Sequence, residues 1–392
     1  MKKAFLAMGV TALFAATAHA QSSVTLYGSL DAGVLFSNNQ VNPTTKHGGQ
    51  NYQESSNALS YTYFGLTGNE DLGSGLHAIF KLEEGFGLNN GALAQSNTIF
   101  SRQAYVGLQD DQYGTVTLGR QYSSMVDYLA PLSMTGRGTG NNLAAHPFDN
   151  DNLDETFSIG NAVKYTSVDY NGFKFGGLYG FSNGAGQFSD NRAWSVGASY
   201  SNGPLNVAAA YLQLNNSASS TNTGGAVANT PGDSNIAAQL QRTFGVGANY
   251  SYGPATVGLV WTQTQINGLT SLNATDGSPF IAGVSGLNLH LDNFELNGRY
   301  ALTPALTLSA SYTYTDGSVS GSNGTGSPQW ETLALEGDYS LSKRTDVYLE
   351  GVYQHASGEF GNLGANVADI NTLSPSSSGN QTAVTVGIQH RF

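Results

Sequence analysis

Between Leu306 and Thr315 the chain reads Leu-Thr-Leu-Ser-Ala-Ser-Tyr-Thr-Tyr-Thr. Side chains of an extended strand alternate faces, so Leu306, Leu308, Ala310, Tyr312 and Tyr314 share one face and only threonine and serine occupy the other. Similar alternation recurs along 24–36, 59–68, 76–85, 100–109, 114–121, 162–168, 173–181 and 194–200. It continues along 205–212, 243–250, 256–263, 294–300, 306–315, 332–339, 346–354 and 382–392. The pattern predicts about sixteen strands, an even number within the range of bacterial transmembrane barrels. A soluble β-sandwich or β-solenoid also alternates, so the pattern alone leaves that alternative open.

The connections separate the two. Short ones at 69–75, 110–113, 169–172, 201–204, 251–254, 301–304 and 340–343 include several with Gly or Pro, as tight turns require. Long ones at 37–57, 86–98, 122–160, 182–191, 215–239, 264–291, 316–329 and 355–381 are rich in Gly, Ser, Asn and Thr. Regular alternation of short and long is what a two-sided barrel produces, with turns at one rim and loops at the other. The final run, Val384-Thr-Val386-Gly-Ile388-Gln-His390-Arg-Phe392, would pair beside the first strand and leave no open edge. An ordinary edge strand that happens to finish the chain is the competing reading.

Composition agrees with a barrel. The chain has 50 Gly and 21 Tyr but only 11% charged residues, which is unusual for a soluble enzyme. Beyond residue 20 no apolar run approaches the ~20 residues of a membrane helix, whereas a barrel strand needs apolar residues only at alternate positions. Met1-Lys2-Lys3, an apolar stretch and Ala18-His19-Ala20 read as a secretory signal peptide, giving a division into 1–20 and a single barrel of 21–392. The remainder carries a net charge of about −14, which argues against nucleic acid as a partner. There is no cysteine, hence no disulfide.

The connection 122–160 stands out, being far too long for a hairpin turn. Ser124 with Asp127 three residues later predicts a short helix start, and an acid-rich segment, Asp149-Asn-Asp151-Asn-Leu-Asp154-Glu155, lies near its end. It reads as a loop folded into the lumen, where it narrows the pore. Strand parity assigns to the lumen Asp31, Lys81, Glu83, Arg102, Lys164, Glu295, Arg299, Glu336, Asp338, Glu350 and Arg391. Tyr27, Tyr63 and Tyr348 share that face. Arg120 falls on the outward parity, at a rim position or subunit contact. Tyr200, Tyr250, Tyr300, Tyr312, Tyr314, Tyr339 and Tyr353, with Trp194 and Trp261, lie outward near strand ends and read as interfacial girdles.

Several stretches together resemble the Gram-negative general porins of the β-proteobacterial trimeric type. They are Ser23-Val-Thr-Leu-Tyr-Gly28, Gly68-Asn-Glu-Asp-Leu-Gly73, Arg102-Gln-Ala-Tyr-Val-Gly-Leu108, Gly114-Thr-Val-Thr-Leu-Gly-Arg-Gln121, Asn161-Ala-Val-Lys-Tyr-Thr-Ser167 and His390-Arg-Phe392. The resemblance implies a homotrimer of sixteen-stranded barrels in the Gram-negative outer membrane, in contact with its lipid and lipopolysaccharide. It also implies passive diffusion of small hydrophilic solutes and ions, no cofactor, and an assembly signal at Phe392. In such porins acidic residues of the third long loop oppose basic residues on the far wall. Here Lys81, Arg102 and Lys164 are the candidates for the basic side, and Asp127, Asp149, Asp151, Asp154 and Glu155 for the acidic loop. Two positions depart from the pattern: Thr62-Tyr63 stands where Ser-Arg usually precedes the Leu-Gly pair, and Ser158 replaces an arginine. Two of three wall arginines are thus missing, which predicts a pore less anion-selective than its relatives.

No G-x-S-x-G elbow or H-E-x-x-H occurs, and the sequence predicts no enzyme. Asp149 and Asp151 start like a calcium loop, but Leu153 sits at its fifth position and no Gly follows. Pore lining is the favoured use of these acids, with a loosely held divalent cation on the outer loops the alternative. A channel preferring a small cation or a sugar is the second functional reading, and a surface-loop adhesin the third.

Overall fold

The computed structural model describes residues 23–42, 44–136, 141–217, 219–227, 234–274, 276–322 and 324–392. The signal-peptide stretch and most of Gly136-Arg-Gly138-Thr-Gly140 lie outside the described residues. The strands are β1 (Ser23–Val41), β2 (Gly48–Ser56), β3 (Tyr63–Gly73), β4 (Leu76–Gly85), β5 (Gln103–Asp110), β6 (Gly114–Gln121), β7 (Ile159–Thr166), β8 (Phe173–Gly180) and β9 (Arg192–Asn202). They continue as β10 (Leu205–Asn215), β11 (Ile236–Tyr252), β12 (Ala255–Leu272), β13 (Asn288–Ala301), β14 (Leu306–Gly321), β15 (Gly324–Gly326), β16 (Gln329–Ser340), β17 (Thr345–Ser357) and β18 (Asn380–Arg391). Every pairing is antiparallel between neighbours in the ring, and β18 returns to β1 from Ser29↔Arg391 to Ser37↔Ala383. Phe392 completes the closure, its N–H donating to Gly28 O at 3.1 Å and its carbonyl accepting from Gly28 N at 3.2 Å.

The ring is a closed antiparallel barrel of 16 wall strands. Two wall positions are each filled by two segments. β3 lines the first half of β1 (Ser23↔Asn69 to Ser29↔Tyr63) and β2 the second (Ala32↔Ser56 to Val41↔Gly48). The gap between them follows from Asp31. Its inward carboxylate accepts the N–H groups of Leu59 and Ser60 at 2.8 and 3.0 Å, taking backbone donors that a continuous strand would have used in the ladder. The predicted run 59–68 therefore begins only at Tyr63, and 48–56, predicted as loop, is strand. β15 and β16 share the neighbouring position on β14 in the same way.

Burial alternates as the pattern requires. Along β14, Ser309, Ser311, Thr313 and Thr315 are buried while Leu308 and Tyr312 are exposed on the outer surface. Val106, Leu118, Leu259, Leu296, Leu335, Leu349 and Val386 are exposed likewise, which is the outer face of a barrel meant for lipid. Tyr200, Tyr250, Tyr300, Tyr339 and Tyr353 stand on this face too. β11 and β12 extend well past the predicted runs, to Ile236 and Leu272, so much of the predicted loop 264–291 is strand. No helix among the described residues is long and apolar enough to cross a membrane.

Candidate functional site

The site is built where the segment 122–160 meets inward side chains of the wall. Its start is a single π-helical turn, Met125–Leu129. The capping box suggested by Ser124 and Asp127 does not form. Ser124 instead hydrogen-bonds Ser195 through both its N–H (3.0 Å) and its hydroxyl (3.1 Å), and Asp127 turns to Lys164. The turn packs Met125, Tyr128, Leu129 and Leu132 onto Ala208, Ala210, Leu212 and Val260. Close approach depends on inward glycines. A Cβ on Gly245 would stand 2.3 Å from Leu129, and one on Gly197 would stand 2.6 Å from the Tyr128 ring.

The far end of the segment is held by polar contacts. His146 bridges two carboxylates, Nδ1 to Asp151 at 2.6 Å and Nε2 to Glu295 at 3.1 Å, with all three groups buried. Thr262 donates to the same Asp151 oxygen at 2.5 Å, and the N–H of Met134 donates to Glu295 at 2.7 Å. The Asn150 carbonyl accepts from Gln241 at 3.0 Å, and its side-chain oxygen accepts from Asn293 at 3.1 Å. Burial alone would keep His146 neutral, but the carboxylates on its two nitrogens outweigh it and push the imidazole up to about 10. Burial also opposes ionisation of Asp151, yet His146 and the Thr262 hydroxyl hold it below the usual carboxylate range. Asp149, buried beside the charge of Asp151, is pushed up to about 7.

The basic candidates each meet an acid directly. Arg102, just before β5, donates Nε to Glu83 at 2.8 Å and Nη2 to Glu155 at 2.6 Å. Its guanidinium lies 5.1, 4.8 and 5.6 Å from the ring centres of Tyr61, Tyr63 and Tyr122. Lys81 reaches the second oxygen of Glu83 at 3.6 Å, and Tyr27 donates to that oxygen at 2.7 Å. Lys164 meets Asp127 at 2.5 Å and the carbonyl of Tyr122 at 3.1 Å. Arg391 contacts Asp346 and Gln389. Ser158 donates to the Arg102 carbonyl.

The acidic candidates thus divide. Asp127 and Glu155 face basic groups, whereas Asp149, Asp151 and Asp154 are at most 3% exposed and are used within the fold. Asp149 accepts the N–H groups of Asp154 and Thr156, and Asp154 accepts from Tyr61 and Asn371. Asp151 is likewise taken up by His146 and Thr262, so the three are held by partners within the protein.

Of the remaining inward residues, Tyr348 donates to Asp31 at 2.7 Å. Glu336 and Glu350 stand directly opposite each other on β16 and β17, both buried. Among the described residues neither oxygen of Glu350 has a hydrogen-bond partner, and Glu336 has only a 3.4 Å contact from Asn141. Asp338 is buried near the short-turn end, and Arg299, continuing the register of Glu295 and Asn297, is exposed there. Arg120 stays on the outward register and donates Nε to the Ser101 carbonyl at 2.6 Å.

Sequence reasoning missed His146, Tyr61 and Tyr122. A histidine beside Pro147 and five residues from Asp151 carries no spacing rule, and its second partner, Glu295, lies 149 positions away.

Two cavities flank Arg102. One of about 300 Å³, toward the short turns, is lined by Tyr63, Lys81, Glu83, Asp154 and Arg391 among others. The other, about 560 Å³ under the long loops, is lined mostly by amides and hydroxyls such as Gln53, Asn57, Asn90 and Asn371. No group of three or more His, Cys, Asp or Glu suited to a metal ion occurs among the described residues.

The chain as a whole is similar to known proteins. The sequence profile of the Gram-negative porin family matches residues 6–359. An outer membrane porin protein of Bordetella pertussis is 32% identical, with 100% of both chains covered. Outer membrane porin protein 32 of Delftia acidovorans is 34% identical over 54% of this chain and 60% of its own. Among solved structures, an anion-selective porin from Comamonas acidovorans superposes with a TM-score of 0.69 at 22% identity, covering 95% of this chain and 100% of that one.

Proposed function

The chain belongs to the Gram-negative porins, outer-membrane channels for passive diffusion, and from that premise we propose a general porin whose aperture is set by residues 122–160. Small hydrophilic solutes and ions pass by size through a bore whose charges are largely cancelled in place. The observation that carries this reading is Arg102, which binds Glu83 of the wall and Glu155 of the loop at once. Opposed rows of free charge would create a transverse field and a strong ionic preference. Contact pairs at Arg102, Lys81 and Lys164 leave little field to sort ions, and the acidic remainder tips the balance toward cations. We further propose that residues 1–20 are removed on export, that 21–392 form one barrel unit, and that the barrels assemble as trimers. The exposed tyrosines of the outer face fit contact with membrane lipid and lipopolysaccharide.

Liposome swelling over a graded solute series tests the size rule, with uptake falling smoothly as solute radius grows. Reversal potentials in a KCl gradient test the charge rule. The wild type is expected near neutral or weakly cation-preferring, and Glu155→Gln, which strips one carboxylate from Arg102, is expected to move the reversal potential toward chloride. A marked chloride preference in the wild type would overturn the charge rule.

A further inference from the structure

The two cavities on either side of Arg102 have three lining residues in common: Tyr61, Arg102 and Glu155. The Arg102–Glu155 ion pair is therefore the partition between them, and a solute crossing from one cavity to the other passes it. The pair is asymmetric, with the Glu155 side chain 32% exposed and that of Arg102 12%. Tyr61, Tyr63 and Tyr122 surround the guanidinium, so its plane is held and its donors point along fixed directions.

Parting such a pair strips each charge of its partner, which is costly away from bulk water. A simple cation compensates Glu155 and leaves Nη2 of Arg102 unpaired. A simple anion compensates Arg102 and strands Glu155. A solute carrying both signs a few ångströms apart replaces both partners at once, and the number of charge contacts is conserved.

We propose that this partition is a binding site for small zwitterions, with α-amino acids the simplest members. The solute carboxylate takes the place of Glu155 on Arg102 Nη2, and its ammonium takes the place of Arg102 on Glu155. Glu83 keeps its bond to Nε throughout, so the guanidinium does not swing away when Glu155 is released. The cavity above is lined mainly by uncharged donors and acceptors, Asn57, Asn90 and Asn371 among them, with the carboxylates of Glu54 and Asp276 beside them, so it hydrates a dipolar solute and draws its ammonium end inward. The site rests on the porin reading given above.

The test uses the full chain in a planar lipid bilayer, with KCl current recorded at constant ionic strength. Glycine is added on one side, and methylammonium chloride and sodium acetate are added separately. Glycine is expected to reduce the current saturably, half-blocking at a concentration at least fivefold below either single-charge compound. Glu155→Gln is expected to raise that concentration at least tenfold. Arg102→Lys keeps the charge but loses the fork and is expected to fall between. A channel that carries KCl yet shows no saturable glycine block, or equal block by methylammonium and acetate, overturns the site alone. Absence of any KCl current overturns the pore reading and the site with it.

Discussion

Glu350 is the residue whose surroundings fit its charge least well. It lies opposite Glu336 in the β16–β17 ladder, buried, with neither oxygen hydrogen-bonded among the described residues. Like charges directly across a ladder destabilise it, and an unsatisfied buried carboxylate adds its desolvation cost. Glu350→Gln keeps the shape and removes the repulsion between the two carboxylates. It is expected to raise the thermal midpoint in detergent by a few degrees, on the order of 1 kcal/mol; an unchanged or lower midpoint counts against this account. At this scale the sequence was partly legible. Parity alone put Asp31, Glu83, Glu295, Glu336 and Glu350 inward, because a period of two leaves no choice once one face is greasy. It could not say that Glu83 would be shared by Arg102, Lys81 and Tyr27, since partners 19 and 56 positions apart are joined only by strand register.

Among elements, the segment 122–160 shows two different kinds of attachment. Its first turn is seated by shape, Leu129 and Tyr128 filling hollows left by Gly245 and Gly197. Gly245→Val fills one hollow and is expected to cost about 1–3 kcal/mol of seating. If the segment sets the aperture as proposed, single-channel conductance rises. Wild-type conductance in that variant would argue against it. The later part is seated by charge through His146. A histidine raised from about 6.5 to about 10 contributes fully below pH 6.5 and loses its contribution as pH climbs through 10. Asp149, raised to about 7, works in the same direction, because docking favours its neutral form and weakens as it ionises. Conductance is therefore expected to drift upward from pH 5 to 7, as Asp149 ionises, and to grow or become noisier more steeply toward pH 10.5, as His146 loses its proton. His146→Gln should show the open behaviour without the steep rise above pH 9; a rise as large as in wild type would assign the effect elsewhere. The inward glycines were visible in the sequence, but a glycine in a strand also marks bulges and turns. Only the docked turn shows which of them are seats.

For the whole molecule, alternation and loop lengths carried nearly everything about architecture. All sixteen predicted runs coincide with wall strands of the closed barrel, since burial on one face and lipid on the other stamp the same period on each. Boundaries were less legible. Asp31 interrupts the wall between β2 and β3 by capturing two backbone amides, and β11 and β12 run on above the level where alternation with membrane lipid is enforced.

The hydrogen bonds around 146–156 have one more consequence, a mechanical one. Through Asp151 and His146 this stretch grips Thr262 and Glu295 on β12 and β13, and through Glu155 it grips Arg102 beside β4 and β5. Those strands are far apart around the ring. A cylinder tied across its diameter resists being squashed into an oval, so the stretch acts as a cross-brace. Cutting both ties with Asp151→Asn and Glu155→Gln should therefore soften the wall itself. Hydrogen exchange would show this as faster opening of β4 and β13 amides that touch neither substitution.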